Sequence, residues 1–291
     1  MSNSFETNDM QLFQTDAKIG LLGTLNQDSL PHITLITTLQ ANTPKSIIWG
    51  AFTEGLSKKH VTQNPHTGFL ILTPDRMMWR GKAIWKNSRQ EGDEYILMNN
   101  KPLFRYNSYF GIHTVHYMDL IETYGRESLP LGQIIPAILI SSILKSFMKK
   151  SKPAPIFTPF IINLLNGLDT IKCLAYIDEN DYPRLIPLLQ CRTLDTQHLV
   201  FSTLAYHNEL SKIPENKPVA IFAVNMKMES ILLRGNLRSI QPFSSFKSGR
   251  LTSVNSALSI GIIDVSWMYN SMPPIQGQIY PPIPIRPVKN Y

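Results

Sequence analysis

The residues best suited to chemistry lie between Ile47 and Trp85. An apolar strand ending at Phe52 runs into small and hydroxyl residues, then the basic pair Lys58-Lys59 and a short helical turn closed by Asn64-Pro65. A second apolar strand, Gly68 to Thr73, leads through a turn to Met78-Trp79-Arg80-Gly81-Lys82-Ala83. In that order a β-barrel presents hydrogen-bond donors and positive charge at one rim, a fit for an anion. Other chemistries leave no trace: no nucleophile–base pair, metal-ligand cluster, P-loop or dinucleotide fingerprint occurs. His113 and His116, three apart near a predicted strand, read as structural or exposed rather than as metal ligands. His32 reads as rim-exposed, and Trp49 and Trp79 as core and interface aromatics.

The chain that must position these residues has 291 of them, 43% hydrophobic and 17% charged, enough for two cored domains and too apolar for wholesale disorder. Its formal charge of +7 suits a phosphate-bearing ligand, nucleic acid or an anionic membrane, and selects none of them. Nucleic acid ranks lowest, because aromatic and basic residues do not interleave on any strand face. The two cysteines, Cys173 and Cys191, are expected as free buried thiols on neighbouring strands of one hairpin, in a reducing cytoplasm. The N-terminus is polar and acidic, unlike a signal peptide. The longest apolar run, Ile134 to Leu144, is far below the ~20 residues of a bilayer span. A soluble protein is expected.

Short apolar runs bounded by turn residues predict strands at Ile19–Leu25, Ile33–Leu39, Ser46–Phe52, Gly68–Thr73, Met78–Trp85 and about Thr114–Glu122, after a short helix ending before Asp16. Six strands with few helices argue for a small antiparallel barrel. The pattern then recurs. Leu22, Leu25, Pro31, Ile36 and Asn64 stand a constant 152 positions before Leu174, Ile177, Pro183, Leu188 and Asn216. Arg80-Gly81 meets Arg234-Gly235 after a two-residue insertion, and Gly132-Gln133-Ile134 resembles Gly277-Gln278-Ile279. Between the copies, Ala137–Lys150 reads as a helix with a lysine-rich end, Ser151–Pro155 as a stiff linker and Pro159–Asn166 as a second helix. These helices are expected to pack over the barrels, with an anionic membrane surface as the alternative. The proline-rich tail, Pro273–Pro287, is expected to be extended.

The run Leu22–Leu39, followed by Trp49–Leu72 and Trp79-Arg80-Gly81, resembles the flavin-binding split-barrel family, the pyridoxamine 5′-phosphate oxidase-like group. The resemblance covers roughly Ile19–Glu122 and Ile171–Trp267. It implies a mainly β chain with short helices: two tandem six-stranded antiparallel split β-barrels joined by a helical linker. The corresponding domains are residues 1–130, a helical and proline-rich linker 131–160, and a diverged second barrel 161–291. The family binds FMN across a two-fold interface, so the two barrels are expected as an internal pseudo-dimer, with a further homodimer as an alternative.

By that resemblance, Ser57, Lys58 and Lys59 would hold the phosphate together with helix N–H groups, and Thr34 and Thr37 would contact phosphate and ring. Gly50, Ala51, Phe52 and Thr53 would lie along the flavin, small residues allowing close backbone approach. The match has departures. Anchored on Asn64-Pro65, the family's Ser-Arg-Lys falls on Gly55-Leu56-Ser57, which displaces the lysine pair by two residues, and Thr34 stands where the family has arginine. Arg80-Gly81 reads as a strand kink or bulge more than as a ligand contact.

In the second copy the same offset puts Ile186, Leu189, Ser202, Glu209, Leu210 and Ser211 at the positions of Thr34, Thr37, Gly50, Ser57, Lys58 and Lys59. A carboxylate would face the phosphate, although Arg184, Arg192, Lys212 and His207 lie near enough in sequence to compensate. The expectation is one working FMN site per chain, with the second barrel as its wall. Flavin-mediated hydride or electron transfer would then link an unidentified small-molecule substrate and electron donor. The alternatives are a deazaflavin or haem carrier, or a cofactor-free interaction module.

Overall fold

The computed structural model describes residues 1–13, 15, 17–52, 55–101, 111–147, 156–242, 259–270 and 276–283. Two antiparallel sheets account for the strands. The first contains β1 (Ile19–Leu25), β2 (Pro31–Leu35), β3 (Gln40–Thr43), β4 (Ser46–Ala51), β5 (His66–Leu72), β6 (Met77–Arg89), β7 (Thr114–Thr123) and β8 (Glu127–Ser128). Its order is β2-β1-β5-β6-β7-β4-β3, with β8 beside β6. The second contains β9 (Ile171–Ile177), β10 (Pro183–Pro187), β11 (Arg192–Thr193), β12 (His198–Ser202), β13 (Pro218–Val224), β14 (Ser230–Pro242), β15 (Ser259–Asn270) and β16 (Gly277–Tyr280). Its order is β10-β9-β13-β14-β15-β12-β11, with β16 beside β15. Along the seven-strand path the two orders are the same, the mark of a duplicated unit, while the eighth strands pair differently.

The Arg-Gly pairs show why the repeat kept them. In β6, a Cβ on Gly81 would lie 2.0 Å from the Glu122 carbonyl oxygen; in β14, a Cβ on Gly235 would lie 2.0 Å from the Asp264 carbonyl oxygen. A register shift against the following strand lies directly before Gly235 and one residue beyond Gly81, and at both positions the neighbouring backbone comes too close for any residue but glycine.

The sequence reading needs several corrections. Each sheet carries eight strands rather than six, because short edge pieces such as β3 and β8 lack an apolar run. The strand after Pro31 ends at Leu35, not Leu39: the Ile36 N–H bonds back to the Gly20 carbonyl and the Leu39 N–H to that of Ile36, which turns the chain. The second copy turns identically, Leu188 to Lys172 and Cys191 to Leu188. Cys191 therefore sits after β10 and Cys173 within β9; both are buried and neither is in a disulfide. The inter-repeat helix starts at Leu131 and runs to Phe147, with Pro136 inside it. Gly132-Gln133-Ile134 thus lies in a helix while Gly277-Gln278-Ile279 lies in a strand paired to β15, so that part of the sequence match has no structural counterpart. Ser151–Pro155, the lysines 149 and 150, and most of the tail lie outside the described residues.

Chain contacts divide the molecule into two compact units, Met1–Leu131 with Leu174–Ile186, and Gly132–Cys173 with Pro187–Tyr291. The first unit therefore takes in most of the β9–β10 hairpin. Gly68 makes room for it, since a Cβ there would meet the Pro183 carbonyl oxygen at 2.0 Å. Ion pairs hold the hairpin: Lys82 to Asp178 at 2.6 Å, Arg184 to Asp178 at 2.8 Å and Arg184 to Glu122 at 2.6 Å. His66 stacks on Tyr182, with ring centroids 4.2 Å apart. The core of the first unit gathers Phe13, Leu22, Trp49, Phe69, Trp79 and Met118. No helix among the described residues is long and apolar enough to cross a membrane.

Candidate functional site

The basic pair stands at the start of helix α2 (Leu56–Gln63), which follows α1 (Thr7–Leu12). Gly55 enters the helix in extended conformation and provides no side-chain cap, so the first-turn N–H groups lack that partner. The helix stops at Asn64, held extended before Pro65, as the residue preceding proline prefers. Its buried stripe is Ser57, His60 and Val61, at helical spacing.

That stripe is fastened to the β1–β2 hairpin by polar contacts. The Ser57 and Thr34 hydroxyls are hydrogen-bonded to each other. Thr24, opposite His32 in the β1–β2 ladder, bonds His60 Nδ1 at 3.0 Å. His32 packs edge-on against His60, with centroids 4.9 Å apart. His32 is thus buried between strand and helix rather than rim-exposed. Around the same helix start, Lys58 is half-buried and Lys59 exposed. Thr34, Ser57 and Lys58 are therefore brought together from strand and helix.

The other predicted residues sit differently. Thr37 lies in the turn after β2, half-buried. Its neighbour Thr38, which sequence reasoning passed over, accepts from the Gly50 N–H at 3.0 Å and donates to the Gly50 carbonyl at 2.8 Å. Gly50 is a close-packing position: a Cβ there would lie 2.6 Å from Ile112 Cδ1 and 3.0 Å from Met98 Sδ. Met98 belongs to helix α3 (Asp93–Asn100), which with Ile112 covers this face of β4 beside Ile48 and Phe52. Ala51 is buried in the barrel core, Phe52 is half-buried, and Thr53 lies outside the described residues.

In the core of the first sheet lies a group that spacing alone does not single out. His116 of β7 is 5% exposed and stacks on Trp49 of β4, with centroids 3.8 Å apart and planes 3° from parallel. Trp85 Nε1–H donates to His116 Nδ1 at 3.1 Å. Burial, together with the charge of Lys58, pulls the imidazole down from its usual 6.5 to about 4. His113, by contrast, is exposed and held by Gln90 and Thr114. His116 lies within β7, whereas His113 precedes the strand.

Arg80 is not a rim cation. It is 2% exposed and grips Glu127 through two bonds of 2.8 and 3.0 Å, with Nη1 3.3 Å from the Leu185 carbonyl oxygen. In the second copy Glu209 occupies the place of Ser57, and the helix there, His207–Leu210, has only four residues. Three of the cations that could have compensated have partners. Arg184 holds Asp178 and Glu122, Arg192 donates to the Asn166 carbonyl, and His207 bonds Thr203.

No family model matches this chain, and no curated protein does. Solved structures do. One is an FMN-binding protein from Syntrophomonas wolfei, 17% identical over 41% of this chain and 84% of that one, with a TM-score of 0.35. A candidate pyridoxamine 5′-phosphate oxidase from Lactobacillus delbrueckii is 14% identical over 42% and 95%, with a TM-score of 0.34. An F420 reductase is 13% identical over 39% and 93%, with a TM-score of 0.32. The seven-strand order recurs in both sheets, so the chain is a tandem of two antiparallel β units, and the solved structures similar to it include an FMN-binding protein and a candidate pyridoxamine 5′-phosphate oxidase.

Proposed function

We propose that this chain binds a flavin-type cofactor, FMN in the first instance, at the first barrel, and serves as an oxidoreductase toward a small substrate. The observation that carries this reading is the start of α2, where the Thr34–Ser57 hydroxyl pair, uncapped helix N–H groups and Lys58 stand together. That donor set fits a phosphate dianion, which demands several hydrogen bonds and positive charge when it leaves water. The fit does not extend to the backbone of Gly50, whose N–H and carbonyl both serve Thr38. When bound, a flavin supplies hydride or electron transfer. The chain's own residues hold its phosphate: Lys58 and Lys59 by charge, Ser57 and Thr34 by hydroxyl, with α2 fixed by the Thr24–His60 contact.

The second barrel, with Glu209 at the corresponding place, is the reason to expect one cofactor per chain. The two buried cysteines, neither in a disulfide, suit a reducing compartment. Titration of the purified chain with FMN, followed by flavin absorbance and fluorescence, tests the reading. Saturation at one equivalent is expected, and Lys58→Ala should weaken binding about tenfold, the worth of roughly 1.5 kcal/mol for one charge-assisted contact; Lys59→Ala, at an exposed position, should weaken it less. No binding, or two equivalents per chain, would overturn it. Bleaching of the bound flavin by a reduced nicotinamide separates an oxidoreductase from a passive holder.

A further inference from the structure

The stacked pair Trp49 and His116 leaves two hydrogen-bond donors unused. Because His116 Nδ1 accepts from Trp85 Nε1–H, the neutral ring carries its proton on Nε2. That Nε2–H has no hydrogen-bond partner among the described residues, and neither does Trp49 Nε1–H, although Trp49 is 1% and His116 5% exposed. A buried donor left unmade costs about 1–3 kcal/mol, so two of them on touching rings call for an acceptor. The charge that registers on His116 among the described residues is that of Lys58, and it is positive. The two rings thus offer donors and no acceptor of their own.

A cleft lies on the same sheet, lined by the strand neighbours of His116 rather than by His116 itself. Ser88 stands opposite His116 in the β6–β7 ladder, and Thr114 precedes it by two residues, so all three share one face. Ser88 and Thr114 line a cleft of about 530 Å³ together with Arg89, Gln90 and Glu91.

We propose that His116 Nε2–H and Trp49 Nε1–H form a buried binding site for a phosphate-type oxyanion. The oxyanion has two possible sources, free phosphate or the phosphate of the cofactor. Only the second rests on the reading of the preceding subsection, which it deepens by adding His116 to the phosphate's partners.

The test uses the full chain with 15N-labelled histidine, in a phosphate-free buffer, and follows His116 by proton–nitrogen correlation. Inorganic phosphate, FMN and riboflavin are added in separate arms, while flavin fluorescence reports cofactor binding independently. A shift of the His116 Nε2–H signal with phosphate or FMN, and none with riboflavin, is the expected result; which of the two moves it names the source. His116→Phe keeps a ring on Trp49 and removes the donor, and should weaken phosphate or FMN binding about tenfold. Trp49→Phe provides the second variant should the first fail to fold. If FMN binds by fluorescence while His116 stays unmoved by phosphate and FMN, the donors serve trapped water and the inference fails while the cofactor reading stands. If FMN does not bind yet phosphate moves His116, the cofactor reading fails and the oxyanion site stands. A shift with riboflavin equal to that with FMN also overturns it.

Discussion

The two barrels share a strand order and differ in what their matching positions do. Gly81 and Gly235 meet the neighbouring strand's carbonyl at the same 2.0 Å, whereas Arg80 and Arg234, one residue earlier, have parted company. Arg80 forms a two-bond ion pair with Glu127; Arg234 lies over the Trp267 ring, 3.6 Å from its centroid. The same holds for Gly20 and Lys172. Gly20 packs against the turn through Leu39, and a Cβ there would meet the Ile36 carbonyl oxygen at 2.2 Å. Lys172 instead extends a fully buried side chain whose Nζ donates to the Leu165 carbonyl at 2.9 Å, at the end of the helix Pro159–Asn166. Where the following strand's carbonyl lies against Gly81 and Gly235, both copies carry glycine because a Cβ has no room there. Side-chain partnerships were free to drift wherever another contact of similar strength was within reach.

That contrast can be broken at four points. The largest effect is expected from Gly81→Ala and Gly235→Ala, each driving a Cβ into a backbone carbonyl that cannot swing aside. Each should lower unfolding free energy by about 3 kcal/mol or more, measured by denaturant titration; a loss confined to one of the two would undo the equivalence of the barrels.

Nearly as large is the pH response, which should split by barrel. His116 has its folded-state value depressed by burial and Lys58 to about 4 from 6.5. Its stability term is therefore present above pH 6.5 and lost as pH falls toward 4. Burial depresses Lys172 to about 8 from 10.5, so its term is present above pH 10.5 and lost as pH falls through 8. Each window carries up to about 3 kcal/mol. Stability measured across pH on His116→Phe should flatten only the acid window, and on Lys172→Met only the alkaline one.

Next comes the arginine pair. Arg80→Met strands Glu127 and should cost about 3 kcal/mol, against about 1 kcal/mol for Arg234→Met, which forfeits a cation–π contact. Equal losses would show that the two arginines still play one role. The smallest effect belongs to the exposed Lys86–Asp119 pair, about half-exposed on both sides; Asp119→Asn should change stability by no more than ~0.5 kcal/mol.

Much of this molecule is written in local pattern. Alternation and turn residues place β1 at Ile19–Leu25 to the residue, and the helix Pro159–Asn166 likewise, with Thr158 accepting from the Ile161 N–H and Pro159 at its first position. The constant spacing of 152 reports the duplication, because strand lengths and turns set the spacing directly. What the spacing could not convey is which partner a side chain meets across a sheet. Thr38 rather than Thr37 holds Gly50, since the chain turns at Ile36 through a hydrogen bond to Gly20, distant in sequence. His116 becomes a neutral donor on Trp49 only because β7 pairs with β4 and β6 at once, which brings Trp49 and Trp85 to it. Sequence therefore determined the elements, their repetition and the basic helix start, all fixed by neighbours along the chain. Tertiary structure alone decided which of those residues share a site, because register between distant strands, not distance along the chain, sets which side chains touch.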